Sequence, residues 1–177
     1  MRFATLLLFT APVWAQAPLK PVVAPSTEKS GVARKVFTDL ESNIDYKLRV
    51  ANDKDPFDLL GLTRGLYLPG YGAVLTSELS LIATPTINPF KQKITPEEAA
   101  RVHQRKVEHL PLLKKTMHDM WKDAALALTS VPDSEQVVLA VRLLYQPWED
   151  TTGLPGQIVM KGARKAALTG DIQTEEQ

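Results

Sequence analysis

One segment constrains this chain more than any other. Gly65-Leu66-Tyr67-Leu68 leads into Pro69-Gly70-Tyr71-Gly72, and an apolar run resumes from Ala73 to Ala83. A proline and two glycines between two apolar runs predict a hairpin, because proline presets φ and glycine accepts a positive φ. In the second run Ala73, Leu75, Ser77, Leu79 and Leu81 share one face, and Val74, Thr76, Glu78, Ser80 and Ile82 share the other. The first set is the more apolar and is expected to face a helical layer. A further run, Val137 to Tyr145, is broken only by Arg142 and predicts a buried central strand covered on both faces.

Helical period accounts for much of the rest. Val32, Val36, Leu40, Ile44 and Leu48 recur at steps of four, with Phe37 beside them, and predict a helix over 31–52. The charges at Arg34, Lys35, Asp39, Glu41, Asp45, Lys47 and Arg49 mostly take its other side. Asp55-Pro56 reads as a cap with proline at the first helical position, so one helical turn is expected from Phe57 to Leu60. Thr95-Pro96-Glu97-Glu98 is a capping box opening a helix toward Ser130. Its stripe is Val102, Val107 and Leu110, then Leu113, Met117, Trp121, Ala124 and Leu128. Pro111 is expected to break it near His109, since an interior proline removes a hydrogen bond and clashes with the preceding turn. An unbroken helix of this length would run ~50 Å, which also favours a break. Pro155 to Leu168 reads as a last helix with Ile158 and Val159 inward. The expected fold is therefore α+β. A small antiparallel or mixed sheet of about three strands packs against the long Pro-broken helix and two further helices.

The ends bear on compartment. Arg2, the apolar run Ala4 to Phe9, and Val13-Trp14-Ala15 have the three-part layout of a secretory signal. Cleavage is expected after Ala15, because the rival bond after Ala17 precedes the rigid Pro18. The expected organisation is a signal peptide over 1–15, a Pro-rich linker over 16–30, one domain over 31–170 and a polar tail over 171–177. Export points to the periplasm or the medium. The chain has no cysteine, which removes a disulfide framework, thiolate catalysis and cysteine-ligated zinc. Of 21 basic residues one is Arg2, so signal removal leaves 20 against 20 acidic ones. A neutral chain has no bulk attraction for nucleic acid or anionic lipid. No apolar stretch after the signal is long enough to span a bilayer.

Two stretches carry a resemblance. Gly65 to Ile82, with Leu-Tyr-Leu-Pro-Gly-Tyr-Gly-Ala-Val-Leu, and Tyr145 to Leu168, with Pro-Trp-Glu-Asp and Gly-Leu-Pro-Gly-Gln-Ile-Val-Met, resemble a group of uncharacterised exported bacterial proteins. The resemblance implies export and one domain, and it carries over no functional residue.

Candidate chemistry is sparse. His103, His109 and His118 are not a helical turn apart, so they do not make a metal pair, and no cofactor motif occurs. Glu78 sits in mid-strand, where a carboxylate serves acid–base work only under a cleft; otherwise it is solvated or salt-bridged. Glu149 and Asp150 are adjacent in a turn and either act as a pair or cap and solvate. Arg105-Lys106 and Lys114-Lys115 are interleaved with Glu108 and Asp119 and read as a solvated face. Met117, Met120 and Trp121 read as core.

Tyr71 and Trp148 lie in loops, where binding residues concentrate, and Tyr and Trp are favoured interface anchors. If the strand ending at Tyr145 runs antiparallel to the one starting at Ala73, then Tyr71, Trp148, Glu149 and Asp150 line one partner- or ligand-binding surface. The broken helix favours that case; a single straight crossover makes the strands parallel and separates them. Trp148 otherwise plugs the core edge. The function expected is a non-enzymatic binding or accessory protein of the envelope with a protein partner. The alternatives are a hydrolase using Glu78 or Glu149/Asp150, and a small-ligand carrier with its pocket under the broken helix.

Overall fold

The computed structural model describes residues 33–87, 89 and 93–177. The signal peptide and the linker lie outside these residues. Helix α1 is Arg34–Val50. Strands β1 (Asp58–Leu59), β2 (Arg64–Leu68) and β3 (Gly72–Ser80) precede helix α2 (Pro96–Ala127). Strands β4 (Gln136–Leu143) and β5 (Gln157–Ala163), the short helix α3 (Ala166–Thr169) and strand β6 (Gln173–Glu176) complete the order.

The hairpin forms as its turn residues dictate. β2 and β3 pair antiparallel from Arg64↔Thr76 to Leu68↔Gly72. Gly70 and Gly72 take φ of 80° and 136°, values that favour glycine. The apolar run 137–145 supplies β4, which lies between β3 and β5 in the sheet. Ala73, Leu75 and Leu79 of β3, Val137, Leu139 and Val141 of β4, and Ile158 and Met160 of β5 face one core with the α1 stripe and Leu113, Met117 and Trp121 of α2. Trp121 is fully buried and donates its indole N–H to the Val137 carbonyl at 2.8 Å.

The α+β class agrees with the sequence, but the sheet does not: it is mixed and six-stranded, not a sheet of three. β1 stands where a helical turn was expected, pairing with β3 at Asp58↔Ser80 and Leu59↔Leu79. β5 replaces most of the expected last helix. Only Ile158 and Met160 point inward, a period of two, and they meet Val141 and Leu139 across the ladder with β4. Period two with a β-branched pair describes a strand; reading Ile158 and Val159 as neighbours on one helical face was the error. β6 forms from the polar tail and is exposed throughout. Backbone pairing with β5 holds it, aided by Lys161–Glu175 and Lys114–Glu176 ion pairs.

Pro111 does not break the helix as expected. α2 runs 32 residues, about 48 Å, without a break. Pro111 lies on the exposed side, as does Val107, whose carbonyl loses its helical donor. Water can satisfy that carbonyl, so the proline weakens the helix without ending it. Pro111→Ala is therefore expected to stabilise the protein, by up to ~3 kcal/mol, read as a raised urea midpoint with an unchanged slope.

The unbroken helix has a topological consequence. It carries the chain once along the sheet, so β4 starts beside the start of β3. The two strands are parallel, from Gly72↔Gln136 to Leu79↔Leu143.

α1 also departs from its pattern. Glu41 and Asp45, expected outward, are buried. Glu41 accepts the Gly65 N–H at 2.8 Å and an Arg34 N–H at 2.8 Å, while Arg34 donates to the Gly65 carbonyl at 3.1 Å. Asp45 accepts from the Thr63 N–H at 2.9 Å and hydroxyl at 2.6 Å. Side chains of α1 thus occupy the outward backbone groups of Gly65 and close that part of the β2 edge to a further strand.

Candidate functional site

The expected joint surface does not form. Parallel β3 and β4 put Tyr71 beside Gln136, whose N–H donates to the Tyr71 carbonyl at 2.8 Å. Trp148 follows the other end of β4. Tyr71 and the Trp148-Glu149-Asp150 loop therefore lie at opposite ends of the sheet, and the unbroken helix is the reason.

Glu149 is not free to act on a ligand. Its side chain is 2% exposed and pairs with Lys106, which is 0% exposed. The Lys106 ammonium also sits 4.8 Å over the Tyr145 ring. The second Glu149 oxygen accepts the Gln146 N–H at 2.9 Å. Burial pushes the Lys106 ammonium below the ordinary lysine range, and the Glu149 hydrogen bond and charge oppose it. Burial, and secondarily the Glu149 charge, hold the Tyr145 phenol up at about 12. Its hydroxyl donates to the Pro155 carbonyl at 2.7 Å. This cluster clamps the 145–150 loop onto α2. Lys106, expected on a solvated face, is instead the buried centre of the clamp.

The remaining candidates have structural partners. Asp150 is exposed; hydrogen bonds from the Thr152 side chain and N–H hold its carboxyl below the usual range. His103 Nδ1 lies 2.9 Å from the Asp150 carbonyl. His109 packs edge-on to Phe57, with Nε2 3.2 Å from Asp55 Oδ2. The Trp148 indole nitrogen is buried without a hydrogen-bond partner. Glu78 faces solvent and pairs with Arg142 at 3.4 Å, its neighbour in register on β4. That is the salt-bridged alternative and not a carboxylate under a cleft. The carrier pocket has lost its basis, because the helix is unbroken. No group of three or more metal-ligating side chains occurs among the described residues, and no described helix is long and apolar enough to cross a membrane.

What the structure leaves open is the sheet face turned away from α1 and α2. Register sets its rows. Leu66, Val74, Val138 and Lys161 make one; Arg64, Thr76, Ala140, Val159 and Glu175 the next; Glu78, Arg142 and Gln157 a third. Leu66 and Leu68 are 50% and 45% exposed. Gly61 and Leu62 border this face and, with Arg64, Thr76, Glu78 and Arg142, enclose a groove of about 440 Å³. A parallel strand pair is normally covered on both faces. Among the described residues helices cover β3 and β4 on one face; on the other Val138 is buried and Val74 half-buried, while Thr76, Glu78 and Arg142 are exposed. The sequence predicts β4 as a central strand covered on both faces; it is central, and on its outward face Val138 is buried while Arg142 is exposed.

No family model matches the chain, and no match was found among curated proteins or solved structures.

Proposed function

We propose that this chain is an exported, non-enzymatic binding or accessory protein that holds a protein partner against the uncovered face of β2, β3 and β4. One observation carries the reading: a parallel strand pair that no described helix covers on one face, where Thr76, Glu78 and Arg142 are exposed and Leu62, Leu66 and Leu68 stand exposed beside them. Contiguous exposed apolar surface rimmed by polar residues marks interaction sites in soluble proteins. The α1 side chains block the β2 edge at Gly65, so the face, not that edge, is what the chain offers. The export component rests on the Arg2 to Ala15 pattern. A hydrolase gains nothing from this geometry, because Glu78 is solvated and Glu149 is sequestered.

The test is Leu66→Asp, which puts a charge among the exposed leucines on the β2 side of the face. Isolated without denaturant from cells that make it, the unsubstituted protein is expected to travel with a second kind of chain. The variant is expected to travel alone while staying folded. A complex that survives the substitution contradicts the proposal.

A further inference from the structure

We infer that the partner presents to this face a single apolar segment carrying a carboxylate, which meets Arg64. The inference rests on the binding reading above and adds the chemistry of the occupant. Two observations choose it over a second copy of this chain.

The first is charge. On the open face Glu78 pairs with Arg142, and Lys161 pairs with Glu175 at 2.5 Å. Arg64 is exposed and has no ion-pair partner among the described residues. The face therefore has one unanswered positive charge beside Leu62 and Leu66. A second copy stacked on this face brings the same excess and opposes like charges. A segment with an Asp or Glu supplies the missing one.

The second is area. At most five strands lie side by side, at the level of Val74 to Thr76, and three at Glu78. At ~4.8 Å per strand and about six residues of ~3.4 Å, the footprint of the face is at most roughly 500 Å². Two globular chains in a stable complex each bury about 800 Å². The face is too small for a globular copy but matches one helix or extended segment, with side chains entering the groove under Leu62. The requirement for both an apolar stretch and a carboxylate follows from Leu66 and Arg64 being in adjacent rows.

The experiment places a photo-reactive benzoylphenylalanine at Leu66, and as a control at exposed Tyr46 on α1, in cells that natively make the protein. The cross-linked segment is sequenced by mass spectrometry. It is expected to come from another protein, to be apolar, and to contain Asp or Glu. Arg64→Glu should cut the adduct by roughly fivefold or more, and Arg49→Glu on α1 should leave it unchanged. A basic or uncharged segment, or an adduct indifferent to Arg64→Glu, overturns the inference and leaves the binding reading standing. An adduct only with a second copy, or none above the Tyr46 control, overturns both.

Discussion

Glu149→Ala is expected to cost about 3–5 kcal/mol, a large share of the ~5–15 kcal/mol that holds a domain folded. The reason is the partner left behind. Lys106 is wholly enclosed between α2 and the 145–150 loop, with Glu149 as its ion-pair partner and Tyr145 beneath it. Removing the carboxylate leaves a buried ammonium without its ion-pair partner. Removing both charges is different: Lys106→Met with Glu149→Leu keeps the volume and is expected to fall within ~1.5 kcal/mol of the parent, or above it. The pH dependence of the single variant has a definite sign. Burial already lowers the Lys106 pKa, and losing Glu149 removes the greater part of what opposes that shift, leaving the Asp58 charge. A lysine with a depressed folded pKa destabilises the fold below that pKa. The penalty is relieved as pH rises toward the unfolded value of ~10.4. Urea unfolding of Glu149→Ala should therefore show a deficit that narrows toward alkaline pH. A deficit under ~1 kcal/mol at neutral pH would mean that water reaches the pair.

Gly72→Ala is the second large effect. Gly72 sits at φ 136°, a conformation L side chains rarely adopt. A Cβ there would lie 1.9 Å from the Gln136 carbonyl oxygen and 2.7 Å from its backbone carbon and nitrogen. These are backbone atoms at the start of β4, held by the bond from Gln136 N–H to the Tyr71 carbonyl. No rotamer change clears them. Strain of ~1–3 kcal/mol for the dihedral adds to the displacement of β4 from β3, so a loss of more than about 4 kcal/mol is expected. Gly70→Ala is the control. It has a positive φ of 80° but nothing within 4 Å, so it should cost only the dihedral strain. Equal effects at the two positions would mean that β3 and β4 do not meet at Gly72.

Local chemistry was readable and its assembly was not. Thr95 and Glu98 form the reciprocal cap their spacing predicts, and the Pro69–Gly72 turn closes the hairpin. The position of Lys106 in the sequence carries a signal of its burial. It falls in phase with Val102, Leu113 and Met117, all buried on one side of α2, while Val107, assigned to the stripe, is 42% exposed. A lysine on an apolar stripe asks for a buried counter-ion. Glu149 could not be named as that partner, because the parallel crossover alone brings its loop to α2. β6 had no apolar pattern to read, since it is held by its backbone and two ion pairs. The open face was legible only residue by residue. Whether helices cover one side of β3 and β4 or both depends on where the crossover helix lies, and no spacing in the sequence encodes that.

On the proposal, the face that no described helix covers is occupied by a partner. Leu66→Asp tests it most directly, compared with Tyr46→Asp on the helical layer. Mass by light scattering on protein isolated without denaturant is the measurement, after urea unfolding has established that each variant is folded. A solvated position tolerates the change within ~0.5 kcal/mol, so both variants should match the parent in stability. The parent and Tyr46→Asp should then show the mass of a complex with a second chain, and Leu66→Asp the mass of this chain alone. A complex in all three, or a Leu66→Asp protein destabilised as a core variant would be, contradicts the account.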